Sequence, residues 1–219
     1  MRMVGETLLD RHGATGNSRN MANDVQDITE DQDKTQPPMS ALRYETPFEL
    51  YSEMPQVKQM TQHRPRDDEE NLEYLNRLAG STTPEEAVTF AAFAAVPAMA
   101  IWWAYECLRI ASDDMTAADR ELMEHVANWC SYSDNENRYR VMSRSLYAPV
   151  RSPAVFLGLA VGWSGGPIAP NDSAAVPAHR APRAINSAVL SCLARAELQQ
   201  RPVRLARFID QASALFRPF

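Results

Sequence analysis

Three residues in the last third of the chain stand in an order that nucleophilic catalysis uses. Ser164 lies within Gly162-Trp163-Ser164-Gly165-Gly166, which satisfies the G-x-S-x-G pattern, and Asp172 and His179 follow in the Ser, Asp, His order of an α/β-hydrolase triad. In that chemistry the hydroxyl attacks a carbonyl, the imidazole takes its proton, and the carboxylate orients the imidazole. A second pair, Glu121 and His125, falls at i and i+4 of one helical pattern and could serve as base and orienter. The surrounding EHVANW is not the H-E-x-x-H zinc motif, so an ordinary surface pair is the plainer reading. The carboxylates Asp67, Asp68, Glu69, Glu70 and Glu85, Glu86 sit at expected helix starts, where the macrodipole accounts for them. Cys107, Cys130 and Cys192 lie far apart among apolar neighbours and read as small buried hydrophobes in a reducing compartment. No phosphate loop, dinucleotide fingerprint or zinc spacing is found, so no cofactor or metal is expected.

The elements that must position these residues read almost entirely as helices. Asp67 with Glu70 resembles a capping box, followed by Leu72, Leu75 and Leu78 and closed by Gly80. Thr83-Pro84 with Glu86 opens a second helix, and a third runs on from Pro97 through AMAIWWAYECLRIAS, apolar nearly all round and so expected at the centre of the domain. Thr116 with Asp119 and Ser133 with Glu136 open two more. Ser152-Pro153 starts a helix that should end at Trp163; a loop then runs to His179, and Pro182 and Pro202 begin the last two helices. The sum is an all-α, compact helical bundle over residues 67–219, with the four tryptophans Trp102, Trp103, Trp129 and Trp163 mainly packing it.

That sum bears on the serine. A nucleophile elbow needs a strand before the serine and a helix straight after it, whereas here Pro167 and Pro170 follow and no sheet carries the turn. Gly165-Gly166 therefore reads as a helix C-cap and sharp turn, and no residue is assigned a catalytic role.

Residues 1–66 hold few apolar runs and are interrupted by Pro37-Pro38, Pro47, Pro55 and Pro65, which predicts a largely disordered extension. Within it, Thr46-Pro47-Phe48-Glu49 looks like another helix start. Phe48, Tyr51 and Met54 would share one side of that short helix and could dock on a partner or on the chain's own body.

The net charge of −6 and pI of 5.3 disfavour nucleic acid and anionic membranes. Residues 180–219 reverse the balance, with seven arginines against Glu197 and Asp210; arginines on the solvated faces of the last two helices explain that most simply. The uncharged stretch from Val88 to Tyr105 is rich in alanine, broken by Pro97 and flanked by acids, so it reads as buried helices rather than a membrane span. MRMVGETLLDRHG has no continuous apolar segment, so no secretory signal is expected and the cytoplasm is the expected location.

Residues 84–219 resemble an uncharacterised bacterial domain-of-unknown-function family commonly encoded with type VI secretion genes. The resemblance rests on AIWWAYECLRIA with its tryptophan pair, on DNENRYRVM, and on GWSGGPIAPNDSAAVPAHRAPRAINSAVLSCLARA. It implies an accessory role near a secreted effector or its PAAR-tipped spike, without an established activity. The expectation is a non-enzymatic interaction protein, an adaptor or chaperone, with Trp163, Ser164, Gly165 and Gly166 beside Phe48, Tyr51 and Met54 as partner-binding residues. An immunity protein that binds a toxin, or an enzyme with an unrecognised site near Ser164, are the alternatives.

Overall fold

A computed structural model describes residues 41–111 and 115–217, and within them the chain forms nine α-helices. They are α1 (Pro47–Glu53), α2 (Asn71–Ala79), α3 (Glu85–Ala94), α4 (Pro97–Ile110), α5 (Ala117–Ser131), α6 (Asn135–Leu146), α7 (Pro153–Trp163), α8 (Arg180–Arg195) and α9 (Arg201–Ser213). Isolated bridges, Leu42 with Ala95 and Pro167 with Ala175, are the extended pairings among the described residues. The fold is all-α, as the periodicity predicts. No helix among the described residues is long and apolar enough to cross a membrane.

Several helix starts follow the expected capping chemistry. The hydroxyls of Thr46, Thr116 and Ser152 accept the backbone N–H of Glu49, Asp119 and Val155, satisfying donors that the helix itself cannot. Two starts differ. Asp134, not Ser133, caps α6 by accepting from Asn137, because the Ser133 hydroxyl turns back to the Trp129 carbonyl at the end of α5. No box forms between Asp67 and Glu70 either; Glu69 accepts from the Arg66 N–H and is gripped by Arg77. Helix α8 begins two residues before Pro182, after His179.

The core is centred on α3 and α7. Every residue of α3 from Glu86 to Ala94 is buried, and α7 packs against α4, α5, α6 and α8. Two glycines one turn apart set the approach of α7 to α6. A Cβ at Gly158 would lie 2.0 Å from Ser145 Oγ, and one at Gly162 would lie 2.5 Å from Met142 Cγ. The expectation that α4 holds the centre is corrected: Trp102 is 45% exposed and stacks on Tyr105, while Trp103 turns inward and donates its indole N–H to the Phe208 carbonyl. The smaller side chains of α3 and α7 fit the centre better, since they let neighbouring backbones close in.

The boundary at residue 66 is also corrected. Residues 41–66, expected within a disordered extension, are folded onto the bundle; the remainder of that stretch lies outside the described residues. Leu50, Tyr51, Met54 and Val57 are buried, and Val96 N–H donates to the Ala41 carbonyl. The Tyr51 hydroxyl hydrogen-bonds with Tyr74 (2.8 Å) and Thr61 (2.9 Å), Asn71 donates to the carbonyls of Tyr44 and Glu45, and His63 N–H donates to Glu86. Apolar residues too sparse to form a core of their own fill slots that the bundle provides.

Candidate functional site

The turn that carries the serine is built for structure. Helix α7 ends at Trp163, and the Ser164 hydroxyl donates to the Val161 carbonyl at 2.8 Å. Gly166 takes a φ of 67°, the left-handed region that glycine adopts without cost. Behind the turn lies Arg138 of α6, 3% exposed, which donates to the Gly162 carbonyl at 2.8 Å and to the Pro167 carbonyl at 3.1 Å. Its guanidinium lies over the Tyr139 ring. A fixed cation thus satisfies carbonyls at the end of α7, where the helix dipole is negative.

The triad order in the sequence does not become a triad in space. Asp172 accepts the Ala174 N–H in a local turn, and His179 precedes the first turn of α8. The Ser164 hydroxyl is bonded to the Val161 carbonyl, with no hydrogen bond to Asp172 or His179 among the described residues. Glu121 and His125 do not form a dyad either. His125 Nε2 and Glu121 Oε1 are 3.9 Å apart, beyond hydrogen-bond reach, and Glu121 is engaged by Arg144. Burial, reinforced by Arg144, holds the His125 pKa below its ordinary value.

Burial disfavours the thiolate at all three cysteines. Burial raises Cys107 well above its ordinary value and pushes Cys130 and Cys192 up to about 11, the last against the pull of Arg204 and Arg195. No group of three or more metal-ligating side chains gathers among the described residues.

Of the expected partner-binding residues, Tyr51 and Met54 are buried against the chain's own body, and Phe48 is 55% exposed. Trp163, Ser164, Gly165 and Gly166 do come together, lining a shallow cavity of about 200 Å³ with Arg43 and Val176. The Arg180 guanidinium lies 5.8 Å from the Trp163 ring centre.

A larger feature lies elsewhere. A groove of about 450 Å³ opens between α5, α7 and the loop joining α6 to α7. Its apolar lining comes from Leu122, Val155, Ala148, Pro149, Val150 and Tyr147. Tyr147 is 85% and Val150 65% exposed, unusual for large apolar side chains beside an open cavity. At its floor Ser152, the cap of α7, donates to Asp119 in the first turn of α5, joining the two helix starts. Arg151 braces the loop from behind by donating to the Ser145 carbonyl at 2.7 Å. Along the rim stand the Glu121–Arg144 pair and Arg195.

The groove suits apolar side chains flanked by charge. Sequence reasoning missed it because its walls come from three segments far apart in the chain. One signal was legible: Tyr147-Ala148-Pro149-Val150 is an apolar run in a connection between helices, where polar residues are the norm.

Residues 74–216 match a family of unknown function, DUF6931. No curated protein and no solved structure matches the chain.

Proposed function

Since this chain belongs to DUF6931, whose match over residues 74–216 brings no activity with it, we propose from the groove that it is a non-enzymatic protein-interaction module. In this reading it acts in the cytoplasm as an adaptor or chaperone for a type VI secretion effector or spike component. The groove between α5 and α7 is the observation that carries the interaction reading, because its apolar walls and the exposed Tyr147 and Val150 leave contact area open to a partner. The occupied hydroxyl of Ser164 and the separated Glu121 and His125 support a binding role over catalysis. The secretion setting comes from the resemblance carried by the tryptophan-pair helix and the Trp-Ser-Gly-Gly turn.

The test uses the full chain in a host that carries a type VI secretion system. Tyr147→Asp with Val150→Asp places two charges on exposed positions and is expected to abolish co-purification of effector or spike protein and to reduce secretion, with the thermal midpoint unchanged. Ser164→Ala is expected to leave both intact. Retention of partner and secretion in the doubly charged variant would remove the groove from this role.

A further inference from the structure

The last helices are rich in arginine, and most arginines elsewhere in the bundle are committed. Arg77 holds Glu69, Arg109 holds Glu106, Arg138 holds the turn after α7, Arg140 holds Glu136, and Arg144 holds Glu121. Arg201 donates to the carbonyls of Ala194 and Ala196 at the end of α8, so the negative end of that helix already has its cation. Arg195 and Arg204 are different. Neither guanidinium has a hydrogen bond or ion pair among the described residues, yet both line one small cavity with Cys192, Met115 and Asp119. Both act on the Cys192 thiol as neighbouring positive charges. This cavity and the larger groove share Asp119 and Arg195 in their walls, so the two adjoin. Val150 and Leu122 line the groove, Arg204 lines the adjoining cavity, and Arg195 stands between the two.

In the small cavity two guanidiniums face the single carboxylate of Asp119, which leaves one positive charge in excess. Asp119 accepts from Ser152, and Glu121 is paired with Arg144. That excess positive charge beside an apolar groove complements a ligand that carries carboxylates beside apolar side chains. A long nucleic acid would meet a chain of net charge −6, which disfavours it.

Resting on the interaction reading above, we infer that the partner segment is an acidic amphipathic stretch of protein. Its apolar side chains enter the groove between α5 and α7, and a carboxylate reaches Arg195 and Arg204.

The experiment uses the full chain and a rhodamine-labelled helical peptide about four turns long, with leucine along one face and glutamate on its flanks. A second peptide has glutamine at every glutamate. Fluorescence anisotropy is expected to show the glutamate peptide binding at least about tenfold more tightly, because charge-assisted bonds to arginine exceed neutral ones. Arg195→Gln with Arg204→Gln is expected to erase that difference while leaving the glutamine peptide's affinity unchanged, and Val150→Asp is expected to weaken both. Thermal midpoints verify that each variant is folded.

Equal affinity for the two peptides, an unchanged preference in the double arginine variant, displacement of the peptide by a single-stranded oligonucleotide, or no binding at about 1 mM would each overturn the acidic-partner inference. A glutamine peptide that binds as well and still responds to Val150→Asp leaves the groove in its interaction role. Loss of that role instead shows as native partner retained when Tyr147 and Val150 are charged.

Discussion

Gly165 and Gly166 are neighbours in sequence but face opposite demands. A Cβ on Gly165 would meet nothing within 4 Å, whereas Gly166 sits at a φ of 67° with Arg138 Nη2 3.4 Å from where a Cβ would be. Gly165→Ala is therefore expected to leave the thermal midpoint within a degree or two, and Gly166→Ala to cost about 1–2 kcal/mol from left-handed backbone alone. Differential scanning calorimetry on the two variants checks the contrast. Arg138 carries more. Its two charge-assisted bonds to the turn are each worth about 1.5–3 kcal/mol, so Arg138→Ala is expected to lower the midpoint on the order of 10 °C. The turn that looks catalytic in sequence owes its shape to this buried cation. Nothing in DNENRYRVM distinguished Arg138 from Arg140, because only the fold decides which of them turns inward.

Between elements, the contact of α6 with α7 depends on missing side chains. Gly158→Ala would drive a methyl into Ser145 Oγ, a short group on a packed helix with little room to move, and the expected result is a loss of several degrees in thermal midpoint. Ser145→Ala removes that oxygen, so the double variant should be more stable than the two separate losses would sum to, a non-additivity that a double-mutant cycle measures.

The strap formed by residues 41–69 is held differently, through carboxylates. The Arg77 side chain holds Glu69 below the usual carboxylate range. For Glu86, burial acts to raise the pKa, but the backbone N–H groups of Gln62 and His63, with the Thr83 hydroxyl, outweigh it and lower the value. Folded values below the unfolded 4.5 mean that the unfolded chain binds more protons in between. Their contribution is thus complete above about pH 4.5 and is lost as pH falls through the lower folded values. The midpoint should drop as pH falls below about 4.5, and Glu86→Gln, less stable at neutral pH, should flatten that dependence.

At the scale of the molecule, the family match begins at residue 74, but the folded unit described here begins by residue 41. A chain that starts at residue 67 would expose Tyr74 and Phe90, which stack edge-on beneath Tyr51. It is expected to melt well below a chain that starts at residue 41, and to bind a hydrophobic dye that the longer one does not. Loss of partner binding after truncation at 67 would consequently report unfolding as much as a lost docking segment, which is why exposed positions of the groove are the cleaner test.

Helical class and most helix starts were available from local rules: a cap reaches three residues, an amphipathic stripe repeats every 3.6, and a proline acts on its own turn. The caps at Thr116 and Ser152 illustrate this reach. Three things needed the tertiary structure. The strap joins the bundle through Tyr51, Thr61 and Tyr74, residues whose hydroxyls say nothing of each other until the chain folds. The burial of Arg138 and the exposure of Trp102 depend on which neighbours cover which face of a helix. The groove exists because Leu122, Val150 and Arg195 are brought to one surface from α5, a loop and α8. Sequence determines what each segment can form, and long-range packing decides which of its faces remain open, because burial is a property of pairs of segments and not of any one of them.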